Sequence, residues 1–231
     1  MAVVGEGHAG KRLLDVLTAL PLFDGVFLQM QAENVAIVHA HLAGLEEEMV
    51  CQYEERGQAP HKTVALVSAL SQMWIFALYE MLRTWRQMVD ELISHRRELR
   101  PTQGQPGVQE KGTKLGSKRA ASYQLAVSEE FLDTAYNEAF RKVERDGTYA
   151  QQLESALAAV TLVFGRIADL RVALAKHELP GIRGVRAYAT DYAKIDVGSR
   201  SLQWMVERKD GTSEAISRRA LVQELLELQV G

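Results

Sequence analysis

An arginine and a histidine in the second half of the chain are the residues with the clearest potential for chemistry. Arg171 shares one helical stripe, spaced by three or four residues, with Leu153, Leu157, Val160, Phe164, Ile167 and Leu174. A guanidinium that faces a core keeps its charge and must find an acceptor. His177 follows close behind and could act as a general acid or base near neutral pH. The pattern predicts an inward-facing Arg171 close to an imidazole.

We expect Glu80 to be the acceptor for Arg171, because it lies in the least polar stretch of another predicted helix and needs a partner too. Such an ion pair can be purely structural and fix the register of two helices. Alternatively, Arg171 and His177 could act together on a phosphate group. In a third alternative, Arg171 extends its charged end to solvent along its aliphatic stem. The residues alone favour the structural pair and leave the other two open.

The segment Arg171-Val-Ala-Leu-Ala-Lys-His177 resembles the arginine–spacer–histidine motif of the HEPN superfamily. The resemblance implies a helical bundle with metal-independent ribonuclease activity of the toxin or phage-defence type. It implies that Arg171 would hold the scissile phosphate, that His177 would assist cleavage, and that two copies would meet in one cleft as a homodimer. Val172 stands where many active members carry a polar residue, so an inactive relative that only binds a partner is the other reading.

Other residue types that serve catalysis or metal binding are poorly arranged in the sequence. His39 and His41 are two residues apart, so they project about 200° apart on a helix and cannot share a metal ion. Cys51 is the single cysteine and offers no pair of thiolate ligands. The sequence signatures of nucleotide-binding loops, zinc proteases and serine hydrolases do not occur. We therefore expect no metal and no cofactor.

Composition is typical of a soluble globular protein. The 231 residues are 47% hydrophobic and 25% charged, and the formal net charge is −3. This charge provides no global basic field for nucleic acid. A single cysteine and the lack of a secretory signal favour the cytoplasm. The most apolar window, 64–79, contains Ser68, Ser71 and Gln72 and is shorter than the roughly 20 residues of a membrane span, so we expect a bundle helix there rather than a membrane segment.

Hydrophobic periodicity predicts a mainly α fold, an antiparallel bundle of four long helices. A short helix, Lys11–Leu20, comes first, and the long helices follow at about 26–56, 61–95, 128–145 and 148–177. Short connections make the members of each successive pair antiparallel neighbours. The cluster Glu46-Glu47-Glu48 is interpreted as a solvated outer face of the first long helix. Thr148 is expected to cap the last one.

The C-terminal part has a different pattern. Leu202, Trp204 and Val206 alternate with more polar residues, and Asp210-Gly211 then precedes a second short run, which predicts a β-hairpin at about 201–216. Ser217 should cap a closing helix at 217–228. We divide the chain into a bundle, 1–180, and a small α+β tail, 181–231, packed on it. The bundle includes a flexible loop at about 100–122, and the basic stretch of this loop, 100–119, is either solvated or an RNA-contacting arm.

Two functions follow from these expectations. The first is a scaffold or interaction protein that binds a protein or RNA partner, with Arg171 and Glu80 in a structural role. The second is a HEPN-like ribonuclease, with Arg171 and His177 as catalytic residues. The first is favoured because a buried arginine is more often structural than catalytic.

Overall fold

The chain forms a helical bundle with a small sheet and a closing helix, as predicted. The computed structural model describes residues 6–99, 129–175, 193–207 and 211–228. The helices are α1 (Glu6–Thr18), α2 (Val26–Arg56), α3 (His61–Leu99), α4 (Glu129–Arg145), α5 (Gly147–Ala175) and α6 (Arg218–Leu226). The strands are β1 (Lys194–Asp196), β2 (Ser201–Glu207) and β3 (Ser213–Ser217). The predicted loop at 100–122 and His177 lie outside the described residues.

A tight turn joins α2 to α3. Gly57 follows the last residue of α2 in the left-handed region, with φ of 70°, and its N–H donates to the carbonyl of Tyr53 at 2.8 Å. Glycine adopts this conformation without the steric penalty of a Cβ. Pro60 precedes the first residue of α3. The two long helices therefore pack side by side, and the indole N–H of Trp74 in α3 donates to the carbonyl of Val35 in α2 at 2.9 Å.

One face of α3 forms the centre of the core. Helical spacing in the sequence predicts one stripe of α3 that faces the core. The structure buries that stripe along its whole length: Val67, Ser71, Trp74, Leu78, Leu82, Trp85, Val89 and Leu92. Trp85 is fully buried and donates its indole N–H to the carbonyl of Pro21 at 2.8 Å. Helices α2 and α5 both pack against α3. The helix extends four residues beyond the predicted end at 95. Near this end it lies beside the last turn of α4, where His95 contacts Glu144 at 2.9 Å.

The start of α5 corrects one sequence expectation. Asp146, not Thr148, caps this helix: its carboxylate accepts the backbone N–H of Thr148 at 2.8 Å. The helix begins at Gly147, so Thr148 already lies inside it, whereas Asp146 is placed to reach a free N–H of the first turn. The same hydrogen bond lowers the pKa of Asp146.

The C-terminal residues form a three-stranded antiparallel sheet in the order β1-β2-β3. The hairpin prediction is confirmed, with Trp204 opposite Ile216, and Leu202, Trp204 and Val206 are buried on one face. The short strand β1 was not predicted. Ser217 caps α6 as predicted, because its hydroxyl accepts the backbone N–H of Ala220 at 3.1 Å. The sheet and α6 pack on the bundle through α1, α2 and α5.

Candidate functional site

Arg171 lies at the margin of the core rather than inside it. The buried stripe of α5 consists of Tyr149, Leu153, Ala156, Val160, Val163, Ile167, Leu170, Ala173 and Leu174. The expected stripe shared only some of these positions, and Phe164 and Arg171 flank the true one. The side chain of Arg171 is 35% exposed. The expectation of a fully inward arginine is therefore wrong, because small and medium apolar residues such as Ala156 and Val163 form the core face instead.

The surroundings of Arg171 include the predicted acceptor. Its Nη2 lies 3.8 Å from a carboxylate oxygen of Glu80, and Glu80 makes a closer contact of 2.6 Å with Arg83. The guanidinium carbon lies 5.7 Å and 5.0 Å from the ring centroids of Phe76 and Tyr79. The Nε of Arg171 is buried and has no hydrogen-bond partner among the described residues. The structure thus brings Arg171 and Glu80 together as a loose, partly solvated pair, and His177 is outside the described residues.

A different arginine is fully buried. Arg218 and Glu46 both have 0% side-chain exposure and form an ion pair between α6 and α2. Arg218 donates from Nε to Glu46 Oε1 at 2.9 Å and from Nη2 to Oε2. Glu46 also accepts from the hydroxyl of Ser201 at 2.7 Å and from Nε of Arg219 at 3.0 Å. We call His39, Glu46, Ser201 and Arg218 the buried clasp, because together they join α2 to β2 and α6.

His39 completes the buried clasp on the side of Arg218 away from the carboxylate. Its Nδ1 accepts from Nη1 of Arg218 at 2.5 Å, so the ring proton resides on Nε2. Burial and the adjacent Arg218 cation lower the pKa of His39 to about 4. The ring of Trp74 lies 5.3 Å from the guanidinium carbon. Arg218 is therefore enclosed by a carboxylate, a neutral imidazole and an indole.

The sequence builds the buried clasp from simple local features. His39 and Glu46 are seven residues apart in α2, so they lie on one face two turns apart. Arg218 is the first residue of α6, directly after the capping Ser217. A cation at the N-terminal end of a helix is unfavourable because the macrodipole is positive there. The carboxylate of Glu46 compensates for this at Arg218. The interpretation of Glu46 as part of a solvated face is wrong: only its neighbours Glu47 and Glu48 lie at the surface.

A second, outer set of contacts lies beside the buried clasp. Arg200, in the turn between β1 and β2, contacts the carboxylate of Glu47 at 2.6 Å and that of Glu54 at 3.3 Å. Its Nη2 also lies 3.3 Å from the thiol of Cys51. The hydrogen bond from Arg200 lowers the pKa of Glu47. The sheet is thus held to α2 at two levels, one solvated and one fully buried.

The geometry of the buried clasp suits structure rather than catalysis. Each carboxylate oxygen of Glu46 accepts two hydrogen bonds. Burial alone would raise the pKa of Glu46, but the hydrogen bonds and charge of Arg218 hold it below its ordinary value. A saturated carboxylate has no free lone pair to accept a substrate proton, and the neutral His39 is 5% exposed. Within the described residues, no group of three His, Cys, Asp or Glu side chains is placed to hold a metal ion.

No family model, curated protein or solved structure matches this chain. The residues and their surroundings therefore carry the functional argument.

The outer side of α3 exposes apolar side chains. Leu66 is 50% exposed and Met73 is 67% exposed, and Ala65, Ala69 and Ala77 are exposed beside them. Helix α3 is long and apolar enough to cross a membrane by length and composition, but 33% of its most apolar window is buried inside the protein. The opposite side of the same helix supplies the core residues Trp74 and Trp85. We call Ala65, Leu66, Ala69, Met73, Phe76 and Ala77 the α3 outer face.

Proposed function

We propose that this protein is a non-catalytic helical interaction protein that binds a macromolecule through the α3 outer face. The observation that carries the proposal is the exposure of large apolar side chains, Leu66 and Met73, on a helix whose other side is core. Contiguous exposed apolar residues of this kind mark interaction surfaces in soluble proteins. Isolated exposed residues need no explanation, but Leu66 and Met73 lie on one face of α3 about two helical turns apart, with the exposed Ala69 between them.

The polar groups of the bundle support the same function. The buried clasp fixes the C-terminal sheet and α6 to α2 and leaves neither Glu46 nor His39 free for proton transfer at neutral pH. A closed scaffold that presents an apolar helix face suits an interaction protein, because a preformed surface loses little conformational entropy on binding. We place the protein in the cytoplasm, as its composition favours.

Site-specific photo-crosslinking in the cell that makes the protein tests the proposal. A photo-reactive amino acid at position 73 should form a covalent adduct with another macromolecule after irradiation. The matched control places the same amino acid at position 162, because Leu162 is 78% exposed on α5 and is not part of the α3 outer face. Adducts at 73 but not at 162 are expected. The absence of adducts at 73, or equal adducts at both positions, would overturn the proposal.

A HEPN-like ribonuclease is the second candidate, and one observation favours it. Arg171 keeps 35% side-chain exposure and an unpartnered Nε beside two aromatic rings, so its charge is only partly neutralised by Glu80. A guanidinium in this state suits a phosphate oxygen. In this function, Arg171 and His177 would be the catalytic residues and RNA the substrate.

Incubation of the purified chain with RNA in EDTA decides between the two functions. The ribonuclease predicts metal-independent cleavage that His177→Ala abolishes at an unchanged melting temperature. His61→Ala is the matched control, because His61 is exposed at the first residue of α3. We expect no cleavage by the native chain. Cleavage that depends on His177 and not on His61 would refute the interaction-only function.

A further inference from the structure

Two arginines contact a pair of stacked aromatic rings between α3 and α5. The guanidinium carbon of Arg171 lies 5.0 Å from the ring centroid of Tyr79, and that of Arg86 lies 4.4 Å from the ring centroid of Phe164. The two rings stack on each other at 5.4 Å with an interplanar angle of 16°. Each guanidinium therefore rests on a ring, which positions it without using its hydrogen-bond donors. We call Arg83, Arg86 and Arg171 the arginine cluster.

The arginine cluster carries more positive charge than its neighbours neutralise. Among the described residues, Glu80 is the one carboxylate that forms an ion pair with it, at 2.6 Å from Arg83 and 3.8 Å from Arg171. Neither Arg86 nor Arg171 donates a hydrogen bond to a described residue, and the Nε of Arg171 is buried without a partner. A guanidinium has five N–H donors, and buried donors are normally satisfied. The cluster therefore has donors left for further oxyanions.

The exposed apolar stripe of α3 leads directly to the arginine cluster. Its four residues share an arc of about 80° on the helix: Leu66, Ala69, Met73 and Ala77. Glu80, with its two bound arginines, falls in the same arc one turn further on. A partner that follows the stripe from Met73 reaches the level of Arg83 after about 15 Å, because each residue of a helix adds 1.5 Å. The surface is therefore apolar at one end and cationic at the other.

We propose that the α3 outer face and the arginine cluster together bind a segment of another protein that carries apolar side chains followed by carboxylates. The inference rests on the proposed function and names the chemistry of its partner. The aliphatic stripe matches apolar side chains, and the excess positive charge matches acidic ones, because complementary potentials align two surfaces. Arginine binds a carboxylate through two parallel hydrogen bonds. The unused donors of Arg86 and Arg171 thus set the register of the partner.

A nucleic acid matches this surface less well, although phosphate also binds arginine. Single strands bind largely by stacking bases on aromatic side chains, but the rings of Tyr79 and Phe164 already contact each other and the two guanidinium groups. The aliphatic side chains of Leu66 and Met73 have no counterpart in a sugar-phosphate backbone. The formal net charge of −3 supplies no long-range attraction for a polyanion.

Photo-crosslinking of the full chain at two positions, in the cell that makes it, tests the proposal. A photo-reactive amino acid at position 73 should attach to apolar residues of the partner. The same amino acid at position 83, where Arg83 is 42% exposed, should attach beside acidic residues of the same partner segment. Mass-spectrometric mapping of the crosslinked peptides shows both. Adducts that map to a segment without acidic residues, or that ribonuclease digests, would overturn the proposal.

A matched pair of double variants tests the role of charge. Arg86→Gln/Arg171→Gln should lower the yield of the adduct at position 73 at least about tenfold, because it removes two guanidinium groups that bind the partner's carboxylates. Arg56→Gln/Arg97→Gln removes the same charge at the ends of α2 and α3, where Arg56 is exposed and Arg97 is 72% exposed, and should leave the yield unchanged. Circular dichroism and Tm establish that both variants are folded. Equal yields in the two would overturn the proposal, and the mapping of adducts does not depend on either variant.

This proposal and the proposed function fail separately. If the adduct at position 73 keeps its full yield in Arg86→Gln/Arg171→Gln, the interaction function stands and the acidic partner is wrong. If position 73 crosslinks to nothing, the interaction function itself is wrong.

Discussion

The buried clasp gives the sharpest test of how the fold is held together. In Arg218→Met, Glu46 loses its closest partner, yet it stays 0% exposed and keeps only Ser201 and the partly exposed Arg219. In Glu46→Met, the guanidinium of Arg218 is left buried with the neutral His39. Each single substitution leaves one charged side chain buried without its main partner. Removal of one member of a buried ion pair costs about 3–5 kcal/mol of the free energy of unfolding.

The double variant Glu46→Met/Arg218→Met should be more stable than the sum of the singles predicts. With both charges gone, no desolvated ion remains, and two methionines of similar length fill the volume. We expect the double variant to lose no more than either single variant, which corresponds to a coupling free energy of about 3 kcal/mol or more. Each single substitution should lower Tm by about 6–20 °C, since 1 kcal/mol corresponds to about 2–4 °C in a chain of this size.

Urea denaturation followed by circular dichroism and tryptophan fluorescence measures these free energies. Trp74 lies 5.3 Å from the guanidinium carbon of Arg218 and Trp204 lies in β2, so fluorescence reports on both sides of the buried clasp. Leu162→Met, at an exposed position of α5, is a control that should leave stability unchanged. If the stability losses of the two single variants simply add in the double variant, the two residues act separately and the reasoning is refuted.

Two further predictions concern the same bundle. The pKa of His39 is lowered to about 4, so between about pH 6.5 and 4 the unfolded chain takes up a proton that the folded chain does not. The free energy of unfolding should therefore fall by about 3 kcal/mol as the pH is lowered over that range. Urea denaturation of His39→Gln at several pH values should lack this contribution. Gly10→Ala should cost about 1–3 kcal/mol, since its Cβ would lie 2.9 Å from the Ala36 carbonyl, whereas Gly165→Ala, with nothing within 4 Å, should gain about 1 kcal/mol in thermal melts.

The sequence was most informative where one apolar stripe was long and uniform. In α3, the predicted stripe from Val67 to Leu92 is buried throughout. The hairpin and the Ser217 cap were also predictable, because strand alternation and capping are local properties. The boundary between α2 and α3 was predictable because Gly57 and Pro60 stand between them.

The stripe of α2 was less predictable because its core face is partly polar. The helical spacing of its apolar residues predicts a buried stripe of Phe27, Met30, Val35, Val38, Leu42, Leu45 and Met49. Of these, Met30 and Val38 are 51% and 39% exposed. His39 and Glu46 occupy core positions instead. A search for apolar periodicity rejects those two residues and shifts the inferred face toward the solvent side. Tertiary contacts, rather than the local apolar pattern, determine which face of α2 is buried.

The candidate site was missed for the same reason. Glu46 stands in a run of three glutamates, and such a run is usually solvated. The one sequence signal was Arg218-Arg219 at the first turn of a capped helix, where cations are electrostatically unfavourable. That signal shows that carboxylates must lie nearby, but it cannot say which, because Glu46 and Arg218 are 172 residues apart.

Of Arg171 and Arg218, the one that is conspicuous in the sequence is not the one that is fully buried. Arg171 interrupts a strongly apolar helix, so it stands out in the sequence, yet it lies beside Glu80 at the margin of the core with 35% of its side chain exposed. Arg218 stands in a charged, unremarkable segment, yet it lies at the junction of β3 and α6 and is fully buried against Glu46 of α2. A long side chain on a helix can extend along its aliphatic stem and keep its charged end in water. At a strand-to-helix junction, the strand before the residue and the helix after it both fix the position of the backbone. The burial of a charge is therefore decided by how firmly its backbone is held, and not by how apolar its sequence neighbours are.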